Sequence, residues 1–123
     1  MESSPAVKPG TPISLQDLRS SELFKHGASI RVTGSLQSYS VETARAVIAD
    51  GASSLVVNTR HLSGITFRVG CLYQFIGELL LCPNADTNLL ARVGRNVDGM
   101  DLHLYHQSLL VLRQFEVERA GPT

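Results

Sequence analysis

Two histidines near the C-terminal end of the sequence have a spacing that could hold a metal ion. His103 and His106 lie three positions apart, so a helix would place both rings on one face. A zinc site needs at least a third protein ligand, and no cysteine, histidine or carboxylate in the sequence is spaced to supply one. Histidines in such positions are more often solvated or at the rim of a core, so we expect no metal.

The sequence also lacks the common motifs of catalytic sites. G-x-S-x-G, the P-loop, H-E-x-x-H and the dinucleotide fingerprint are all missing. The glycine of the segment RVGR (92–95) lies inside a predicted strand, so it cannot cradle a phosphate ahead of a helix. We therefore expect neither an enzyme nor a cofactor site.

Composition narrows the class of protein further. The 123 residues carry 11 Lys+Arg and 11 Asp+Glu, and this zero net charge argues against a stand-alone nucleic-acid-binding protein. A hydrophobic content of 43% suits one compact domain. We expect no membrane span and no signal peptide. Cys71 and Cys82 lie too far apart on one extended segment to form a disulfide, which indicates a reducing compartment.

Apolar segments bounded by turn signals predict five strands, at 27–39, 43–49, 54–59, 71–82 and 88–97. The first alternates between apolar and polar residues, whereas the fourth is apolar on both faces. Ser14 opens a short helix before them, with Asp17 placed for a capping box. After Gly99 the period changes to 3.6, which predicts a helix at about 101–118. We expect a flexible arm over residues 1–12, one domain over 13–119 and a tail at 120–123.

The order of these elements predicts an all-β barrel with a terminal helix. Three strands, a short connection at 61–67 and two more strands are typical of an OB-fold, a five-stranded Greek-key barrel. An SH3-like barrel also has five strands but would not explain the long terminal helix. Gly34 predicts a bend or bulge in the first strand, and Gly77 predicts a bend or a close backbone approach in the fourth.

The terminal helix has more apolar surface than a small barrel can cover. A helical wheel places one apolar stripe against the barrel, formed by Leu102, Tyr105, Leu109 and Leu112. An adjacent stripe is formed by Leu104, Ser108, Val111 and Phe115. We expect the second stripe to bind a partner, because the domain is too small to surround a helix. The alternative is a helix sunk deeply into the mouth of its own barrel.

Nucleic-acid binding by an OB-fold uses aromatic and basic side chains on strands two and three. The candidate contacts in this sequence are Tyr39, Arg45, Arg60, Arg68, Arg92 and Arg95. Neither of those two strands contains an aromatic residue, and scattered arginines are more often solvated or salt-bridged. We expect any contact with a single strand to be weak, with further affinity supplied by partner proteins.

Several stretches resemble the Ten-one family, the smallest OB-fold subunits of the CST telomere-capping complex. The stretches are RVTGSLQSY (31–39), VGCLYQFIGEL (69–79) and ARVGRNVDGMDLHLYHQ (91–107). The similarity covers about residues 13–117, and the residues in these stretches are more similar to those of plant members than to those of vertebrate ones. CST itself is similar to replication protein A.

The resemblance implies a non-enzymatic subunit that binds the middle OB-fold subunit through its terminal helix and first strand. The interface arginine of the first strand matches Arg31, and the interface aromatic late in the helix matches Phe115, a tyrosine in some members. Together with the helical wheel, this assigns Arg31, Leu104, Ser108, Val111 and Phe115 to the partner face. The implied further partners are the large CST subunit, single-stranded telomeric DNA and, indirectly, DNA polymerase α–primase.

The resemblance also implies a location at telomeres in the nucleus, and support of C-strand fill-in. Two other functions stay open from the residues alone. One is a stand-alone single-strand binder, which salt-dependent binding by the isolated protein would reveal. The other is a metabolic enzyme on a small barrel, which would need a site that no known motif marks.

Overall fold

Six strands and two helices make up the part of the chain that the structure describes. The computed structural model describes residues 10–82, 87–99 and 101–119, with only the backbone described at residue 103 and at residues 113–119. In chain order the elements are β1 (Thr11–Pro12), α1 (Leu15–Leu18), β2 (Ser29–Ser40), β3 (Arg45–Asp50), β4 (Ser53–Asn58), β5 (Leu72–Leu80), β6 (Asn88–Asn96) and α2 (Leu102–Arg119). The first nine residues of the predicted arm and the tail at 120–123 lie outside the described residues.

The five predicted strands correspond to β2–β6, with ends that agree within two residues. The short predicted helix is α1, which begins where the Ser14 side chain accepts a hydrogen bond from the Asp17 backbone N–H at 3.2 Å. The predicted terminal helix is α2. Alternation and helix-capping signals therefore located these elements because each has enough residues to show its period.

The end of the predicted flexible arm differs from the prediction. Thr11 and Pro12 form β1, which pairs in parallel with Ile30 and Arg31 of β2. The Ile13 backbone N–H extends this pairing to the Arg31 carbonyl at 3.1 Å. A proline can sit in such an edge strand because its missing N–H leaves no partner unsatisfied there.

The sheet closes on itself through its longest strand. Its order is β1-β2-β3-β4-β6-β5, and β5 pairs back onto β2. The first half of β2 pairs with β5 and the second half with β3, so one strand serves both sides of the ring. The β2 ladder shifts register between Leu36 and Ser38. The extra residue of this bulge is Gln37, three residues beyond Gly34, the position at which the sequence predicted a bend or bulge.

The core lies inside this ring and contains an aromatic cluster at one end. Tyr73 and Phe75 of β5 are fully buried, and both contact Phe67, which lies in the connection between β4 and β5. The Tyr73 hydroxyl donates to the Thr66 carbonyl at 2.9 Å and accepts from the Arg68 backbone N–H at 2.8 Å. The connection is thereby fixed to the core without forming regular structure.

Two glycines permit close packing between neighbouring strands. A Cβ atom on Gly77 would overlap the Leu90 carbonyl oxygen and would lie 2.8 Å from the Ala91 Cα. The β5–β6 ladder shifts register beside this glycine, which leaves Arg92 as the extra residue of a bulge. A Cβ atom on Gly34 would lie 3.0 Å from the Ala49 carbonyl oxygen. Both positions are therefore close backbone approaches.

Candidate interaction surfaces

Helix α2 is anchored to the rest of the chain mainly through its first two turns. The Asp101 carboxylate accepts a hydrogen bond from the Leu104 backbone N–H at 3.2 Å and so caps the helix. The His106 Nε2 atom lies 2.6 Å from the Asp50 carboxylate at the end of β3. Leu109, one turn further, is 8% exposed. These contacts set the rotation of the helix about its own axis.

The contact between His106 and Asp50 uses the histidine that the sequence offered as a metal ligand. Asp50 is buried, and its other carboxylate oxygen accepts from the Gln16 side chain at 3.4 Å. Among the described residues no group of three histidines, cysteines or carboxylates could hold a metal ion. In the same described part, neither helix is long and apolar enough to cross a membrane.

The turn that leads into α2 is tied to the start of β5. The Asp98 carboxylate accepts a hydrogen bond from the Leu72 backbone N–H at 2.8 Å, which lowers the pKa of Asp98. The Asp98 backbone N–H in turn donates to the Asn96 side chain at 2.7 Å. A hydrogen bond with Asp98 raises the pKa of the Cys71 thiol, so the thiolate is disfavoured there.

The side of α2 opposite Leu109 is exposed and apolar. Leu104 is 58% exposed and Val111 is 64% exposed, with Ser108 exposed between them. On the anchored side, Leu102 and Tyr105 are half-buried. Leu112, on the same predicted stripe, is 36% exposed, so this side of α2 is less completely covered beyond Leu109. The helix is therefore not sunk into the interior of the sheet.

Not every apolar residue of α2 belongs to these two stripes. Leu110 is 55% exposed and lines a small groove together with Leu109, Ile13 and Ser14. The side chain of Phe115, which the sequence assigned to the partner face, lies outside the described side chains.

Arg31 is half-buried on the outer face of the sheet. Its register partner on β5 is Ile76, and the register partner of Ile76 on β6 is Val93. Paired residues point to the same side of a sheet, so these three side chains form one row across three strands. Val93 is 42% exposed and Ile76 is half-buried. Sequence reasoning missed Ile76 and Val93, because their row becomes visible only once the pairing of the strands is known.

Arg92 and Arg95, two of the predicted nucleic-acid contacts, lie on either side of this row. The Arg92 guanidinium forms an ion pair with Glu78 at 2.6 Å and also donates to the Ser29 hydroxyl at 3.1 Å. The Arg95 guanidinium donates to the Gln74 side-chain oxygen at 2.9 Å. Gln74 in turn donates to the Thr33 hydroxyl at 3.2 Å, and both of these residues are buried.

The other predicted nucleic-acid contacts lie elsewhere. Arg45 and Tyr39 line an open groove of about 530 Å³ over β3 and β4, but the Tyr39 ring also packs on Phe67 with centroids 4.7 Å apart. Arg60 and Arg68 are exposed in the connection between β4 and β5. The six residues therefore divide among three places and do not form one cluster.

A closed sheet of this strand order, with a terminal helix anchored at the end of β3, defines the chain as an OB-fold protein. Residues 6–119 match the Ten1 family, described as a telomere-capping CST complex subunit. The chain belongs to this family. The resemblance seen in the sequence is thus confirmed.

Individual relatives agree with this assignment. The chain is 54% identical over 111 residues to the CST complex subunit TEN1 of Arabidopsis thaliana, which covers 89% of this chain and 87% of the relative. Its fold is similar to a chain of the S. pombe Stn1–Ten1 complex, with a TM-score of 0.71 and 18% identity, covering 89% of this chain and 96% of that one. The telomere capping protein Ten1 of S. pombe gives a TM-score of 0.70 at 19% identity, covering 85% and 98%. At these identities the two structures support the fold alone.

Proposed function

We propose that this chain is a non-catalytic OB-fold subunit of a CST complex, and that it caps telomeres by pairing with the middle OB-fold subunit. Membership of the Ten1 family supports the role in capping. The fission-yeast relative was crystallised in a complex with Stn1, which supports the choice of partner.

The observation that carries this proposal is the exposed apolar side of α2. Leu104 and Val111 each keep more than half of their surface in water while Leu109 anchors the opposite side. Burying one such side chain contributes about 1.5–3 kcal/mol. A partner that covers both would gain at most two such increments, each reduced because the side chain is already partly covered, and part of this gain offsets the cost of association.

The remaining roles follow from that pairing. In the proposed complex the large CST subunit and single-stranded telomeric DNA are reached through the assembly, and DNA polymerase α–primase indirectly for C-strand fill-in. The place of action is the telomere, in the nucleus.

A second candidate is a stand-alone single-strand binder, which the groove at Arg45 favours. The zero net charge and the packing of Tyr39 on Phe67 weigh against it. Such binding would be measured on the isolated chain with a single-stranded telomeric oligonucleotide, and its affinity would fall steeply as salt is raised.

Co-purification with the middle CST subunit tests the proposed function. The variants are Arg31→Glu, Phe115→Ala and Val111→Asp, with Val41→Asp as a matched control because Val41 is 79% exposed in the turn after β2 and lies outside the helix. We expect the first three to lose the complex while circular dichroism shows an intact fold, and the control to keep it. Absence of pairing by the wild type, or equal pairing by all variants, would contradict the proposal.

A further inference from the structure

We infer that the partner-binding surface continues from Arg31 across the outer face of β5 and β6, with Ile76 and Val93 at its centre. Arg92 and Arg95 then border a protein contact and are not contacts to DNA. This inference rests on the proposed pairing with the middle subunit and names a part of that interface which the helix does not provide.

The position of the row is the first argument. Arg31 pairs in register with Ile76, and Ile76 with Val93, so a partner that reaches Arg31 on this face also meets Val93 and the part of Ile76 that Gly10 of the chain itself leaves uncovered. The next row, Thr33 and Gln74, is already buried. On β2 and β5 the accessible part of this face therefore begins at the row that contains Arg31, whereas on β6 it also includes Arg95, the exposed register partner of Gln74.

The chemistry of the borders is the second argument. Arg92 is held by Glu78 and Ser29, and Arg95 is held by Gln74, so each guanidinium is oriented before any partner arrives. Oriented arginines around an apolar centre are typical of protein interfaces, where side-chain ordering then costs less on binding. A phosphate backbone would instead have to compete with the Glu78 carboxylate.

The lack of a stacking surface is the third argument. Single-strand sites combine basic side chains with aromatic rings on which bases stack. On the neighbouring positions of β5 the rings of Tyr73 and Phe75 are fully buried in the core, on the opposite side of the sheet. Among the described residues of this face, the exposed centre is the aliphatic Val93.

Charge indicates what the partner presents. The row of Arg31, Ile76 and Val93, together with its borders, contains three arginines, Arg31, Arg92 and Arg95, and one carboxylate, that of Glu78. The matching surface of the middle subunit is therefore an apolar patch bordered by carboxylates.

The test measures the affinity of the full chain for the purified middle subunit, with Val93→Asp and Val41→Asp as a matched pair. Val41 is 79% exposed in the turn after β2, so the control introduces the same charge on the same residue type away from the row. We expect Val93→Asp to weaken binding about tenfold or more, and Val41→Asp to change it by less than about twofold. Val93→Thr, which keeps the β-branched shape, should give a smaller loss in the same direction.

Three outcomes would overturn the inference. In the first, Val93→Asp binds like the wild type while Val111→Asp loses binding; the proposed pairing then stands and only its extension fails. In the second, both Val93 variants lower the stability of the free chain far more than Val41→Asp does, so the row is covered within the chain itself. In the third, Val93→Asp spares the middle subunit but weakens binding of the assembled complex to a single-stranded telomeric oligonucleotide. Failure of the wild type to bind the middle subunit would instead contradict the proposed function, and the inference with it.

Discussion

The closed sheet and helix α2 are held in different ways within one small domain. In the sheet, β2 pairs along its length with β5 and β3, and fully buried side chains such as Tyr73 fill the interior. Helix α2 is held through a few side chains, chiefly His106 and Leu109, and keeps leucine and valine in water. The sheet is therefore complete within the chain, whereas the helix has apolar surface left for another molecule.

The largest effect is expected from a side chain at Gly77, which would break the sheet and leave α2 without a support. Gly77→Ala places a Cβ against the Leu90 carbonyl and the Ala91 Cα, so β5 and β6 must separate. Overpacking of this kind costs about 1–3 kcal/mol, and the larger Gly77→Glu should cost more. Denaturant unfolding measures this loss as a decrease in the free energy of unfolding.

Gly64→Ala is the control for that prediction, because a Cβ on Gly64 meets open space. Its positive φ of 74° makes some strain unavoidable, worth about 1 kcal/mol. A melting temperature for Gly77→Glu equal to that of the wild type would contradict the assigned role of this glycine.

A middle-sized effect is expected at the anchor of the helix. His106→Ala leaves the buried Asp50 carboxylate with the hydrogen bond from the Gln16 amide but without its contact to α2, which should destabilise the docked helix by about 1–3 kcal/mol. Hydrogen exchange should rise in α2 and much less in β5. This difference would sharpen the contrast between helix and sheet.

The double variant His106→Ala/Asp50→Asn supplies the control for the anchor. Removing the charge from residue 50 removes the cost of burying an unpaired carboxylate, so part of the lost stability should return. If His106→Ala speeds exchange in α2 and β5 equally, the helix is not a separately held element.

The smallest effect is expected at Asp98, which joins the two regions. Its pKa is lowered below the usual 3.8, so its contribution to stability is complete above that pH and is lost as the pH falls through the lower folded value. Asp98→Asn should therefore reduce the melting temperature slightly at neutral pH and by less in acid. An equal difference at both pH values would exclude the carboxylate as the cause.

A second readout of Asp98 comes from Cys71. The pKa of the Cys71 thiol is raised above 9.0, and the largest cause is a hydrogen bond with Asp98. In a Cys82→Ser background, Asp98→Asn should lower that pKa and speed alkylation of Cys71 at about pH 8. An unchanged rate would show that burial alone protects the thiol.

The same contrast explains how much could be predicted from the sequence. β2 and helix α2 show periods that are set by burial on one side, whereas β5, which has Tyr73, Gln74 and Phe75 buried in succession, stands out as a continuous apolar segment. β1 was missed because two residues, one of them proline, have no period. Leu112 lies on the predicted anchored stripe yet is 36% exposed. A helical wheel gives the direction of a side chain but not how far docking extends along the helix.

The surfaces were harder to predict than the elements. In the sequence, Arg92 and Arg95 could not be distinguished from scattered arginines such as Arg45 and Arg60. A sequence does not show which guanidinium faces Glu78 or Gln74. The bulge beside Gly77 moves Arg92 out of register, and only the paired strands reveal it. Tyr39 was predicted to stack on a nucleic-acid base, since its contact with Phe67 joins segments far apart in the chain and cannot be seen in the sequence.

The groove between the start of the chain and α2 sets a condition on biosynthesis. Ile13 and Ser14 are synthesised about a hundred residues before Leu109 and Leu110, which line the same groove. The strands between them can pair while translation continues, but this side of the domain closes only after most of α2 has been made. A chain terminated before α2 would therefore keep this flank of the domain open to water.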